Sequence, residues 1–115
     1  MAERRKLPRK YLMYYTRVFV AGSDQLLGHL VDITPEGVMV MSEQPIPTGQ
    51  TFRLKVELSP DVAEQPDMEF DATSLWCQPD VNPRFHNTGF QVHGLQPHEL
   101  GIIERIVEFY GFRDN

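Results

Sequence analysis

Cysteine is nearly absent from this 115-residue chain: Cys77 stands alone, so no internal disulfide can form and a reducing compartment is expected. Long apolar runs are missing too. The longest, such as Gly37–Met41, extend only a few residues, against the roughly 20 that a membrane-spanning helix needs. The first ten residues are charged and lead into no apolar stretch with a small-residue cleavage site, so no secretory signal is expected. These absences predict a cytoplasmic protein with no membrane insertion. Catalytic signatures are also lacking. There is no HExxH, no CxxC, no serine-centred elbow and no phosphate-cradling glycine loop. The four histidines, His29, His86, His93 and His98, show no metal-ligand spacing and read as loop residues. The chain is therefore expected to be no enzyme, with no metal and no resident cofactor.

Positive charge is scarce and concentrated. Six of the 11 basic residues, Arg4, Arg5, Lys6, Arg9, Lys10 and Arg17, fall within Met1–Arg17 beside a single acid, Glu3. The remainder keeps five basic against fifteen acidic residues, and the whole carries a net charge of −5. A basic arm on an acidic body suits a small anionic ligand better than a long nucleic acid, which would be repelled everywhere except at the arm. A nucleic-acid-binding barrel, with Tyr11, Tyr14 and Tyr15 stacking bases, is disfavoured on that ground. Alternating members of that strand are also expected to serve as core.

What the chain has in quantity is β pattern. Tyr11–Val20 is aromatic and β-branched, Ala21–Gln25 carries turn residues, and Leu26–Thr34 reads as the return strand. Pro35-Glu36-Gly37 is a tight turn in which Gly37 is free to adopt positive φ. Gly37–Ser42 is a short apolar strand ended by Pro45 and Pro47. Gln50–Leu58 alternates, with Phe52, Leu54, Val56 and Leu58 on one face and Arg53, Lys55 and Glu57 on the other. Asp67–Cys77 is expected to place Met68, Phe70, Ala72, Ser74 and Trp76 together on a core side. Gln78–Asn87, with two prolines, is expected to be irregular, and Thr88–His93 to be the last strand. The period then changes: Leu100, Ile103, Ile106, Val107 and Tyr110 fall at helical spacing, with Pro97 in the first turn and Gly111 past the end. One domain of about six antiparallel strands, closed as a barrel or sandwich and followed by one helix at about 97–110, is the predicted architecture. A flexible basic arm, residues 1–10, is expected to precede a body at 11–112.

Two short constellations carry the chemistry. In Arg4-Arg5-Lys6-Leu7-Pro8-Arg9, Arg5 and Arg9 form an R-x-x-x-R pair beside Arg4. In Asp32-Ile33-Thr34-Pro35-Glu36-Gly37, a D-x-T-x-x-G turn joins two strands. An arginine fork binds a phosphate or the O6/N7 edge of guanine in bidentate fashion, and its plane stacks on a base. A carboxylate accepts from the ring N–H and amino group of guanine, and a threonine hydroxyl both donates and accepts. The bland alternatives are a solvated arm, and Asp32 and Thr34 capping their own turn.

At these residues the sequence resembles the PilZ domain family, receptors for cyclic di-GMP. The family pairs an R-x-x-x-R arm with a D/N-x-S-x-x-G turn in this order. Arg5 and Arg9 match the first motif and Asp32 and Gly37 the second, while Thr34 stands where serine is usual, keeping the hydroxyl and adding a methyl. The Glu3-Arg4-Arg5 opening, Val31-Asp32-Ile33, Trp76 late in a strand, Thr88-Gly89-Phe90 and the C-terminal helix extend the likeness over nearly the whole chain. The resemblance implies a six-stranded antiparallel barrel that binds the dinucleotide on its outside. The arm would wrap the ligand, Arg5 and Arg9 holding phosphate and guanine while Asp32 and Thr34 read a guanine edge. Arg4, directly before the motif, implies a stacked pair of ligands. With no output domain expected, the signal would pass to an effector protein. The alternative within the family is an adaptor that ignores nucleotide and acts by protein contacts alone.

Overall fold

The computed structural model describes residues 16–110. The basic arm, including Arg4, Arg5 and Arg9, and the first half of the expected first strand lie outside the described residues.

Six strands follow in the expected order: β1 (Arg17–Val20), β2 (Leu26–Ile33), β3 (Gly37–Ser42), β4 (Thr51–Glu57), β5 (Asp67–Pro79) and β6 (His86–His93). They close into an antiparallel barrel in the order β1-β2-β3-β6-β5-β4, with β4 returning to β1. The consecutive hairpins follow from turn residues, Gly22 taking a φ of 81° between β1 and β2. The β3–β6 and β1–β4 pairs are non-local. They close the sheet because alternation on every strand supplies one apolar face, which a barrel buries on itself. Val18, Leu30, Ile33, Val38, Val40, Leu54, Val56, Phe70 and Phe90 fill the interior. Phe52 meets Phe90 edge to face at 5.9 Å.

Helix α1 (Pro97–Tyr110) closes one end of the barrel. Glu99 accepts the Gln96 backbone N–H at 2.8 Å, the reciprocal half of a capping box, and Pro97 occupies the first helical position. Ile102, Ile103 and Ile106 are buried in the core, whereas Leu100, expected on that face, is exposed. Arg105 ties the helix to the β4–β5 loop by donating to the Val62 carbonyl at 2.7 Å. The same barrel end carries the β2–β3 turn and the start of β1, where the Thr16 carbonyl accepts the Leu30 amide at 2.9 Å.

Two expectations about β5 need correction. The stretch Gln78–Asn87 is not wholly irregular: β5 runs to Pro79 and β6 starts at His86, leaving a turn held by the Asp80 carboxylate. Proline fits there because it ends the ladder, where no further N–H is required. Trp76 is not core. The register slips between Ser74 and Trp76, so Leu75 is an extra residue, and Leu75 and Trp76 are 56% and 39% exposed. A bulge inverts the in–out alternation beyond it.

Candidate functional site

The β2–β3 turn is built by Thr34. Its hydroxyl accepts the amides of Glu36 at 3.2 Å and Gly37 at 3.1 Å and lies 3.3 Å from the Gly37 carbonyl, while its own amide donates to that carbonyl at 2.8 Å. The Thr34 side chain thus serves the turn itself. Asp32 begins similarly: its Oδ1 accepts the Ile33 amide at 2.9 Å. Asp32 is exposed, and its Oδ2 has no partner among the described residues. Gly37 is needed for a reason other than positive φ, which it does not have. A Cβ there would stand 2.7 Å from the Phe90 carbonyl oxygen of β6. Glycine at 37 therefore lets β3 and β6 approach, and the turn is sewn to β6 by the Val92 amide donating to the Glu36 carbonyl at 2.9 Å.

A second bulge, at Val31, slips the β2–β3 register between Leu30 and Asp32. With the Leu75 bulge it has a joint result. Asp32 pairs with Met39, Met39 with Gly89, and Gly89 with Trp76. These four residues form one row across the outer face of β2, β3, β6 and β5. Without the bulges the alternation would send Asp32 and Trp76 to the interior side. Gly89 completes the row by offering no side chain: a Cβ there would overlap the Trp76 indole, which lies over the bare backbone. The result is a shallow cleft of about 260 Å³ lined by Asp32, Thr34, Gly37, Met39, Trp76 and Gly89, with Leu75 beside them. It offers an unspent carboxylate oxygen at one end and an indole at the other, over an apolar floor. Among the described residues no basic side chain lines it.

A family comparison decides what this barrel is. The sequence model of the PilZ domain matches residues 3–109. The chain belongs to the PilZ domain family. PilZ domains are cyclic di-GMP-binding receptor and adaptor domains. The solved structure of the Bacillus subtilis inhibitor of motility, MotI/DgrA, shares the PilZ fold with a TM-score of 0.63 at 12% identity, over 87% of this chain and 48% of that one. This PilZ chain thus spans about half the length of that protein. A comparison with curated proteins finds no match.

In this PilZ barrel the structure brings together Asp32, Thr34 and Gly37, as the motif suggested, and adds Trp76, Leu75, Met39 and Gly89. The added residues were hidden because a bulge leaves no local sequence mark. The juxtaposition of a lone tryptophan with a glycine on the facing strand was the available signal. No group of three metal-ligating side chains occurs among the described residues, and no described helix is long and apolar enough to cross a membrane.

Proposed function

We propose that this PilZ chain is a receptor for cyclic di-GMP that holds the dinucleotide on the barrel exterior and relays its presence to an effector protein, without catalysis. The observation that carries this reading is the row Asp32–Met39–Gly89–Trp76, which gives a guanine both things it needs on one face. The Asp32 carboxylate accepts from the guanine N–H edge, and the indole supplies a stacking surface, worth about 1–3 kcal/mol per base. Positive charge for the phosphates, which no described residue of the cleft carries, the sequence supplies in Arg4, Arg5 and Arg9. Arg9 stands seven positions before Thr16, a reach of up to about 24 Å in extended chain. Thr16 lies at the barrel end that carries the turn. Thr34 acts by shaping the turn, a role that a serine hydroxyl fills equally. Arg4 favours a stacked pair of ligands.

Isothermal titration calorimetry of the purified protein with cyclic di-GMP, using cyclic di-AMP and GTP as controls, tests the reading. Saturable binding of cyclic di-GMP alone, weakened about tenfold or more in Arg9→Ala and in Asp32→Ala, is expected, and the titration counts the ligands. No binding up to about 100 μM, weaker than about −5.5 kcal/mol, would leave the chain a nucleotide-independent adaptor.

A further inference from the structure

A stretch of sheet with a free edge lies beside the cleft. β4 pairs with β5 only from Asp67 to Thr73, whereas β6 accompanies β5 as far as Pro79. Ser74 marks the boundary. Its amide donates to the Gln50 carbonyl at 2.9 Å and its carbonyl accepts the Gly49 amide at 2.7 Å, so its backbone groups face away from β6. In an antiparallel ladder the direction of these groups alternates from one pair to the next. Past the Leu75 bulge, Trp76–Gly89 is therefore a bonded pair, while Cys77–Thr88 and Pro79–His86 are not. The Cys77 N–H and C=O and the Pro79 C=O turn away from β6, and no backbone group of the described residues meets them there. Exposed edges are commonly blunted by charge, brevity, a bulge or proline. This one is short, bulged and ended by Pro79, which keeps it from templating a larger sheet, but Leu75–Pro79 carries no charge. Three of the six large apolar side chains exposed among the described residues, Leu75, Trp76 and Val81, also lie on this edge and its turn.

We propose that the end of β5, Leu75–Pro79, is a docking edge that captures an extended peptide segment of the effector protein as an added strand. An open ladder is complemented by another extended backbone, which fixes the occupant's conformation. Cys77 supplies one donor and one acceptor and Pro79 a further acceptor, while apolar side chains of the incoming strand cover Leu75 and Trp76. The net charge of −5 favours basic flanks on that strand. A second copy of the chain fits less well. Antiparallel self-pairing centred on Cys77 would set Pro79, which has no N–H, opposite Leu75, and would bring together two bodies of like charge. That the captured segment belongs to the effector rests on the receptor reading; the free edge does not. Because Leu75 and Trp76 also line the cleft, a docked strand would adjoin a bound nucleotide.

Two measurements on the full 115-residue protein test this, and neither needs nucleotide. In amide hydrogen exchange followed by NMR, Cys77 is expected to exchange about tenfold or more faster than Gln78, whose amide faces β6. A Cys77 amide as protected as that of Gln78 overturns the free edge. The probe strand is a short synthetic peptide in which valine and threonine alternate between terminal lysines. At about 1 mM, the range of a contact of few hydrogen bonds, it is expected to shift the Leu75–Gln78 amides and to slow Cys77 exchange. Both effects should vanish with the same peptide N-methylated at every residue, which keeps the side chains and removes the backbone donors. They should vanish also in Cys77→Pro, since proline is tolerated where an edge N–H faces solvent. Absence of the shifts, or their survival in either control, overturns strand capture. Cys77 protection that rises with protein concentration and without peptide gives the edge to a second copy instead. Failure of cyclic di-GMP to bind in calorimetry removes the receptor reading and leaves the edge result standing.

Discussion

The barrel has two outer faces of opposite character. On β1, β4 and β5 the outward side chains are spent on one another. Arg17 pairs with Glu57 at 2.9 Å, and Arg53 reaches Glu69 at 3.5 Å and Asp71 at 3.2 Å. Arg17 and Lys55 both lie against the Phe19 ring, and Thr51, Thr73 and His93 form a hydrogen-bonded chain. On β2, β3, β6 and the end of β5 the outward row is Asp32, Met39, Gly89 and Trp76, in which one carboxylate oxygen and one indole face have no protein counterpart among the described residues. Both faces are exposed and neither is disordered, so exposure does not mark the binding surface. Unspent interaction capacity does: a face whose donors and acceptors are already paired would have to break those pairs to hold a ligand.

The sharpest way to break this contrast is at the seam that holds the open face together. Gly37→Ala is expected to cost about 2 kcal/mol in urea unfolding, because the new Cβ meets the Phe90 carbonyl, which is backbone and cannot swing away. A cost below a few tenths would mean that β3 and β6 are not so closely set. Trp76→Ala comes next. It should weaken cyclic di-GMP by about 1–2 kcal/mol, or roughly tenfold, yet change the unfolding midpoint little, since the indole is already partly in water. Loss of stability without loss of affinity would return Trp76 to a structural role.

On the paired face the expected effects shrink. Arg53→Ala should cost under about 1 kcal/mol, as exposed pairs do, and leave nucleotide affinity unchanged. An altered affinity would show that the two faces are not independent. The smallest effect concerns His29. Burial, and then the Arg17 charge, hold its pKa below the ordinary value of 6.5. The folded state therefore resists a proton that the unfolded chain accepts near 6.5. The contribution is fully present above that pH and is lost as pH falls through the folded value. His29→Gln should flatten the stability curve below 6.5 relative to wild type. An identical acid limb in both proteins would assign the slope to other groups.

Much of the fold was legible because strand alternation is a local signal. β3 and α1 fall at the predicted residues, and Arg53, Lys55 and Glu57 face outward opposite Leu54 and Val56 as the period of two requires. The motif residues Asp32, Thr34 and Gly37 do converge on one cleft. What could not be read was anything depending on a partner strand. The bulges at Val31 and Leu75 are properties of pairs, so alternation alone placed Trp76 inside. Gly37 was read as free to adopt positive φ, a freedom the turn does not use; its need is the nearness of Phe90, a residue 53 positions away in the chain. Thr34 fell between its two readings: it does cap its turn, and by doing so it fixes where Asp32 stands.

Closure of the barrel has a consequence for how a signal leaves it. Among the described residues each of the six strands has a hydrogen-bonded neighbour on both sides over part of its length, while the end of β5 beyond Ser74, which pairs with β6 alone, leaves one side of its ladder open. Along the doubly paired stretches a partner cannot be recruited by adding its own strand to this sheet, the most sequence-tolerant mode of peptide capture. There the state of this domain is read through side chains. Specificity on those stretches is therefore written in individual residues on the outer surface and can be rewritten one substitution at a time.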